Sequence, residues 1–269
     1  MKHLLTAALV ALALATAPAF AADGNPSYLW VTCIKAKPGQ GDAVVAEMMT
    51  EDAKMFDPLV ESGAAWEWGI AMPVFHDGND SCSHLEWVVF NGWAGADAFM
   101  AKFMELNRAR GADANKAMAD RWGAITEPGS HADFVTRSVH MGAGKPQRAA
   151  YIHLSYHKAN PGRFNETEDG YKKYIAPVYD KLVADGTVIS YGLETPEVHR
   201  REGWDFMTWW KSDSLAKRDV VDAAFDAANA ARSEEDRKAM REDARQNLDW
   251  SGHSDQVLVV VHHNPGKGE

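Results

Sequence analysis

The segment Tyr28–Gly39, YLWVTCIKAKPG, recurs without a gap as YIHLSYHKANPG at Tyr151–Gly162, a shift of 123 residues. The shift falls to 122 after one deletion, and the chain continues to match itself as far as His140 and His262. Other matching pairs are Gly63/Gly186, Gly69/Gly192, Pro73/Pro196, His76/His199, Trp87/Trp209, His131/His253 and Asp133/Asp255. So many matches in one register indicate a tandem duplication.

Both copies have the same predicted order of elements. In copy 1, alternation and helical periodicity predict a strand at 28–35, a helix at 42–61, strands at 65–71 and 84–90, a helical stretch at 97–122 and a strand at 132–140. The matching ranges in copy 2 are 151–158, 167–184, 187–193, 204–211, 215–248 and 254–262. Pro58 is expected to kink or shorten the first helix, and Ser233 to begin a separate helical segment. The pattern is β-α-β-β-α-β, twice.

This element order, duplicated over nearly the whole chain, resembles the dimeric α/β-barrel superfamily. That group includes antibiotic-biosynthesis-type monooxygenases, stress-responsive barrel proteins, and tandem-repeat haem proteins of the chlorite dismutase and dye-decolorising peroxidase type. The resemblance implies an α+β fold of two ferredoxin-like repeats, whose antiparallel sheets face each other around a pocket and carry helices outside. The peroxidase motif Gly-x-x-Asp-Gly is not matched, because Glu168-Asp-Gly170 lacks the leading glycine.

The N-terminus has the layout of a secretory signal peptide. Met1-Lys2-His3 precedes an apolar run at Leu4–Ala17 and the small-residue site before Ala22, which predicts cleavage near Ala21 and a periplasmic or secreted protein. The predicted organisation is a signal peptide at 1–21, repeat 1 at 27–141, a linker at 142–148 and repeat 2 at 149–264.

The formal charge of −10 becomes −11 when Lys2 is removed. A surface of this sign disfavours nucleic acid and anionic membranes as partners, which leaves a small apolar or aromatic molecule, with a homodimer as a further option. The ferredoxin-like order places the third strand of repeat 1 antiparallel to the first. Cys33 and Cys82 are then close enough for a disulfide; two separate buried thiols are the alternative.

Strand alternation assigns one face of each first strand to the helices and the other to the pocket between the sheets. In copy 1, Leu29, Val31 and Cys33 are predicted to face the helices, and Tyr28, Trp30, Thr32 and Ile34 the pocket. In copy 2 the predicted pocket residues are Tyr151, His153, Ser155 and His157. Buried imidazoles need partners or a function, so His153 and His157 are candidate catalytic residues; a hydrogen-bonded polar patch is the alternative.

Other candidate residues come from the repeat and from the aromatic content. His76 and His199 occupy the same loop in both copies, and His199 is a third candidate catalytic residue; a shared turn geometry is the alternative. His131-x-Asp133 and His253-x-Asp255 place a carboxylate where it could orient an imidazole, or could cap a strand entry. Trp66 and Trp68, predicted to share one strand face, and Tyr191 would complete an aromatic pocket.

Three functions remain open from the sequence. The first is a cofactor-free oxygenase, isomerase or lyase that uses histidine acid–base chemistry on a small aromatic compound. The second is a haem protein with one of these histidines as axial ligand, and the third a non-catalytic periplasmic binding or stress protein. Gly-rich phosphate loops, Gly-x-Ser-x-Gly and His-Glu-x-x-His motifs are absent from the sequence, and no metal ligand set is predicted.

Overall fold

A computed structural model describes residues 26–75, 82–198 and 203–266. The predicted signal peptide, His76 and His199 lie outside the described residues. Eight strands form a closed antiparallel barrel in the order β1-β3-β2-β8-β5-β7-β6-β4. The strands are β1 (Ser27–Ile34), β2 (Ala65–Pro73), β3 (His84–Asn91), β4 (Ala132–Ala143), β5 (Tyr151–Ala159), β6 (Ser190–Pro196), β7 (Phe206–Ser212) and β8 (Leu248–Asn264). The predicted α+β class and the tandem ferredoxin-like barrel are confirmed.

Helices cover the outside of this barrel, and each predicted helical stretch is two helices. They are α1 (Gly41–Glu51), α2 (Ala53–Glu61), α3 (Gly92–Arg110), α4 (Ala112–Ile125), α5 (Phe164–Tyr174), α6 (Ala176–Ala184), α7 (Lys217–Ala231) and α8 (Glu234–Asn247). The break between α1 and α2 falls at Asp52, ahead of Pro58. Ser233 caps α8 as predicted, accepting a hydrogen bond from the Asp236 amide at 3.0 Å. No helix in the described part of the chain is long and apolar enough to cross a membrane.

The predicted facing of the first strands is wrong. Leu29 and Val31 pack with Ile152 and Leu154 inside the barrel, whereas Trp30 and Ile34 pack against the helices. Both faces of β1 are apolar, so alternation separates the two faces without saying which one is inside. The barrel interior combines aliphatic side chains with some large aromatic ones, and the larger share of the aromatic side chains lies under the helices.

The barrel interior is filled rather than hollow. Trp87 and Trp209 lie there, and the space that they need is provided by Gly69 and Gly192, where any Cβ atom would overlap an indole ring. This steric requirement explains why both Gly–Trp pairs recur in the two copies. The remaining internal cavity measures about 50 Å³, too small for a flat aromatic ligand, so the predicted pocket between the sheets is not present there.

Two further predictions concern repeat 1. The disulfide is confirmed: Cys33 and Cys82 are bonded, with their Cα atoms 5.4 Å apart, because β1 and β3 pair antiparallel. The prediction that Trp66 and Trp68 share one face of their strand is wrong. A bulge between Ala65 and Glu67 shifts the alternation, so Trp66 packs against the barrel cluster and Trp68 against the helices.

Candidate active site between the sheet and the helices of repeat 1

A cavity of about 540 Å³ lies between the outer face of the repeat 1 sheet and helices α1 to α4. Trp30, Thr32 and Ile34 of β1 contribute to it from the sheet. Its aromatic lining consists of Trp30, Phe56, Phe99, Phe103 and Trp122, and its titratable side chains are Glu51, Asp52, Glu86, Arg110, His131 and Asp133. A largely apolar chamber with a few converging polar groups is the usual form of a small-molecule site.

Two carboxyl groups meet in this cavity. Asp52 occupies the break between α1 and α2, and Glu86 stands in β3 in an otherwise apolar run. Glu86 is 7% exposed, and its Oε1 atom has no hydrogen-bond partner among the described residues. The two side chains share a hydrogen bond. Burial, then the neighbouring charge of Asp52, raise the pKa of Glu86 well above its ordinary value. Burial also raises the pKa of Asp52, to about 7. The pair therefore shares a proton at pH values where isolated carboxyl groups have lost theirs.

Asp133 is the second polar centre of the cavity. Its Oδ1 atom accepts hydrogen bonds from Thr32 Oγ1 at 2.7 Å and Trp30 Nε1 at 3.1 Å, and lies 3.2 Å from His131 Nε2. Burial alone would raise the pKa of Asp133, but these hydrogen bonds, that of His131 foremost, lower it. The same hydrogen bond raises the pKa of His131. A cationic imidazole is thereby stabilised at the rim of the cavity.

Thr32 lies between the two centres. It is paired with Glu86 on β3 and with Asp133 on β4, so the three side chains share the helix-facing side of adjacent strands. At the other wall, Arg110 donates to Glu51 at 2.5 Å and to Asn115 at 3.1 Å. The cavity therefore holds an acidic pair on one side and two satisfied ion pairs around it.

The predicted catalytic residues His153 and His157 lie in repeat 2, outside this cavity. His153 stacks in parallel on Trp210, with ring centroids 3.6 Å apart, and both of its ring nitrogens are buried without a partner among the described residues. His157 Nε2 lies 3.2 Å from Thr208 Oγ1. Burial lowers the pKa of both histidines to about 4. They are neutral at physiological pH.

The other predicted pocket residues are scattered. Tyr28 packs on Trp93, Trp68 donates to Asp57 at 2.8 Å, and Tyr191 donates to Asp180 at 2.6 Å; all three lie under helices. Tyr151 is half-buried. Ser155 donates to Asp255, and His253 Nε2 lies 3.6 Å from Asp255 Oδ1, at the repeat 2 equivalent of Thr32, Asp133 and His131. Of the residues predicted to line a pocket, the cavity gathers Trp30, Thr32, Ile34, His131 and Asp133.

Sequence reasoning missed Asp52, Glu86 and Arg110. One signal for Glu86 was present, since a single carboxylate inside HLEWVVFN is unusual for a strand that is buried on both faces. Asp52 had no such signal, because an acidic residue in the predicted helix at 42–61 reads as an exposed one.

The described residues do not fit a haem in this cavity. A haem iron needs a histidine or comparable axial ligand that faces the bound group. His131 is the histidine that lines the cavity; its Nε2 contacts Asp133, and its side chain is 67% exposed. His153 is covered by Trp210. Within the described ranges, no group of three or more His, Cys, Asp or Glu side chains is placed to hold a metal ion.

Comparisons with known proteins establish the fold. No protein-family model matches the sequence, and no curated protein does. A proposed monooxygenase of Fusobacterium nucleatum superposes with a TM-score of 0.60 at 13% identity, covering 91% of this chain and 96% of that one. A proposed monooxygenase of Lactobacillus acidophilus gives 0.56 at 10% identity, covering 90% and 98%. An anthrone oxidase-like protein gives 0.51 at 14% identity, covering 91% and 95%. These likenesses show a shared fold, the closed barrel of two ferredoxin-like repeats that the resemblance implied.

Proposed function

We propose that the repeat 1 cavity is the active site of a cofactor-independent enzyme, an oxygenase, isomerase or lyase, that acts on a small aromatic molecule by acid–base chemistry. The observation that carries this proposal is the Asp52–Glu86 carboxyl pair inside an aromatic chamber. Burying two carboxyl groups side by side costs stability, and buried groups with strongly shifted pKa values cluster at functional sites. Repeat 2 folds in the same way without them, having Ile175 and Thr208 at the matching positions.

The pair is suited to moving a proton. Its protonated member can donate to a bound molecule, and its ionised member can accept from one. A pKa near the working pH is the most effective value for a general acid–base group, and the pKa of Asp52, about 7, meets that condition. Asp133 raises the pKa of His131 and so favours its cationic form at the rim, which would stabilise negative charge that develops on a ligand oxygen.

Binding and proton transfer can be tested separately. Saturation-transfer NMR with a panel of aromatic ketones, phenols and amines should detect binding, which Val88→Trp should abolish by filling the cavity with the residue that repeat 2 has there. Deuterium incorporation from D₂O into the bound compound should fall about 100-fold in Glu86→Gln. Thr208→Val, at the repeat 2 counterpart of Glu86, is the matched control and should change neither. Binding without exchange would instead support a non-catalytic binding protein.

We also propose that the chain is exported. The signal-peptide pattern at 1–21 and the Cys33–Cys82 disulfide, a bond typical of oxidising compartments, support export. Mass spectrometry of the periplasmic fraction should find a mature N-terminus at Ala22 or Asp23, and a full-length chain confined to the cytoplasm would contradict the proposal.

A further inference from the structure

The carboxyl pair lacks a cationic partner. Glu47 and Glu51 on α1 and Asp133 on β4 add negative potential around Asp52 and Glu86. Arg110 on α3 acts on Asp52 through its charge, but it donates its hydrogen bond to Glu51. His131 is held by Asp133. Among the described residues, no cationic side chain is hydrogen-bonded or ion-paired to the pair, and the buried Oε1 of Glu86 remains without a donor.

The side chains that line the cavity around the pair suit an apolar ligand that carries a cationic group. Trp30 and Phe99 pack edge to face at 5.0 Å, and Phe56 stacks on Phe99 at 5.7 Å. Indole and phenyl faces attract cations electrostatically. A carboxylate accepts its strongest hydrogen bonds from charged donors. The same chamber therefore offers apolar contact to a ring system and two acceptors to an ammonium group.

We propose that the molecule bound in the repeat 1 cavity is an aromatic or apolar amine, whose protonated nitrogen binds between Asp52 and Glu86 in place of their shared proton. The inference rests on the proposed function, because it assigns a ligand class to the same cavity. It is also compatible with acid–base chemistry there. Once the shared proton has left, one carboxylate holds the ammonium group and the other is free to accept a proton from the ligand.

A matched pair of probes tests the ligand class. 1-Naphthylmethylamine and 1-naphthalenemethanol have nearly the same shape and differ in charge at neutral pH. In calorimetric titrations of the full mature chain, we expect the amine to bind at least about tenfold more tightly than the alcohol, about 1.4 kcal/mol. Titrations in buffers of different ionisation enthalpy should show release of up to about one proton with the amine and none with the alcohol.

Two variants test whether the preference for the amine depends on the carboxyl pair. Glu86→Gln keeps the shape of the side chain and removes the charge, so it should erase the preference for the amine and leave the alcohol binding as before. Asp255→Asn, a carboxylate change on the outer face of repeat 2, should leave both affinities unchanged. A preference for the amine that survives Glu86→Gln would overturn the inference, since the cation would then bind elsewhere.

The two proposals fail in different ways. Equal or tighter binding of the alcohol, without proton release but still sensitive to Val88→Trp, would refute the amine class and leave the cavity as the ligand site. Failure of both probes and of every compound in the aromatic panel to bind would refute the proposed function itself.

Discussion

Thr32 and Ser155 occupy the same place in the two repeats, and what surrounds them differs. Thr32 lies beside Glu86 and Asp133, whereas Ser155 lies beside Thr208 and Asp255. The aspartate is present in both copies. The neighbouring carboxyl group is present in repeat 1 alone, together with Asp52 at the helix break.

The preceding residue pair on the helix-facing side of the first strand differs between the repeats in side-chain volume. Trp30 is paired with Val88 in repeat 1, and His153 with Trp210 in repeat 2. The small valine leaves space under the helices, while the indole and imidazole fill it by stacking. Duplication has thus left two copies of one scaffold. One of them keeps an open chamber with an acidic pair, and in the other the described residues fill the matching position with the His153–Trp210 stack. The proposed chemistry is therefore placed in repeat 1.

The two repeats also differ inside the barrel, and a substitution there is expected to have the largest effect on stability. Trp87 donates to Glu67 at 3.2 Å and Trp209 to Glu194 at 3.1 Å, but only Glu67 is ion-paired with Lys211. Lys211→Met should lower the free energy of unfolding by about 3–5 kcal/mol, because it removes the lysine partner of a buried carboxylate. Glu67 would then keep only Trp87 Nε1 and His263 Nε2, each at 3.2 Å. Urea denaturation measures this, with Lys211→Met/Glu67→Leu as the control that should recover much of the loss. A loss below about 1 kcal/mol in the single variant would contradict the ion pair's role.

Giving repeat 1 the residues of repeat 2 tests the site itself. Asp52→Ile/Glu86→Thr should reduce proton exchange with a bound aromatic ligand by at least about 100-fold, roughly 2.7 kcal/mol of transition-state stabilisation. The free energy of unfolding should stay the same or rise, because a buried acidic pair is removed. Exchange rates by NMR and urea midpoints provide the two measurements. If this variant kept the wild-type rate of proton exchange, Asp52 and Glu86 would not be the groups that transfer the proton.

His153 and Trp30 occupy equivalent positions in the two repeats, and a smaller effect on the free energy of unfolding is expected to distinguish them. His153→Phe keeps the stack on Trp210 and removes two unpaired buried nitrogens, so the free energy of unfolding should rise by about 1–2 kcal/mol. Trp30→Phe removes the indole donor to Asp133 and should lower it by about 1 kcal/mol. Thermal and urea unfolding compare the two variants. Loss of ligand turnover in His153→Phe would restore the catalytic role predicted from the sequence.

The fold could be predicted from the sequence because the evidence for it is repeated. The twelve residues at Tyr28–Gly39 align without a gap with Tyr151–Gly162, and each β-α-β-β-α-β unit repeats the same breaks, so an error in one copy is corrected by the other. The Cys33–Cys82 disulfide was one of two outcomes that the strand order left open, and the structure contains it. The facing of β1 could not be predicted, since Tyr28-Leu-Trp-Val is apolar on both faces and only the width of the closed barrel decides which side is inside.

The site could be predicted only in part, for a related reason. His131 and Asp133 were found because they recur in the repeat, and recurrence was the strongest signal available. Asp52 and Glu86 do not recur. They come together because a helix break meets the middle of a strand, a contact between residues 34 positions apart that neither local pattern indicates. Histidine content drew attention to His153, whose burial on Trp210 only packing reveals.

The last prediction concerns Glu194 and the pH dependence of the free energy of unfolding. Burial raises the pKa of this glutamate to about 7, although hydrogen bonds from Ser138, Trp209 and Thr136 oppose the rise. Between its ordinary value and about 7, the folded state therefore binds more protons than the unfolded state, and the free energy of unfolding contributed by Glu194 falls as pH rises. Glu194→Gln should remove that fall, by at most about 1.4 kcal/mol per pH unit. Glu67, whose pKa Lys211 lowers against the effect of burial, contributes with the opposite sign. Urea unfolding of both proteins at intervals from pH 4.5 to 7.5 measures the difference. Parallel curves for the wild type and Glu194→Gln would show that burial does not raise the pKa of Glu194 in the folded state.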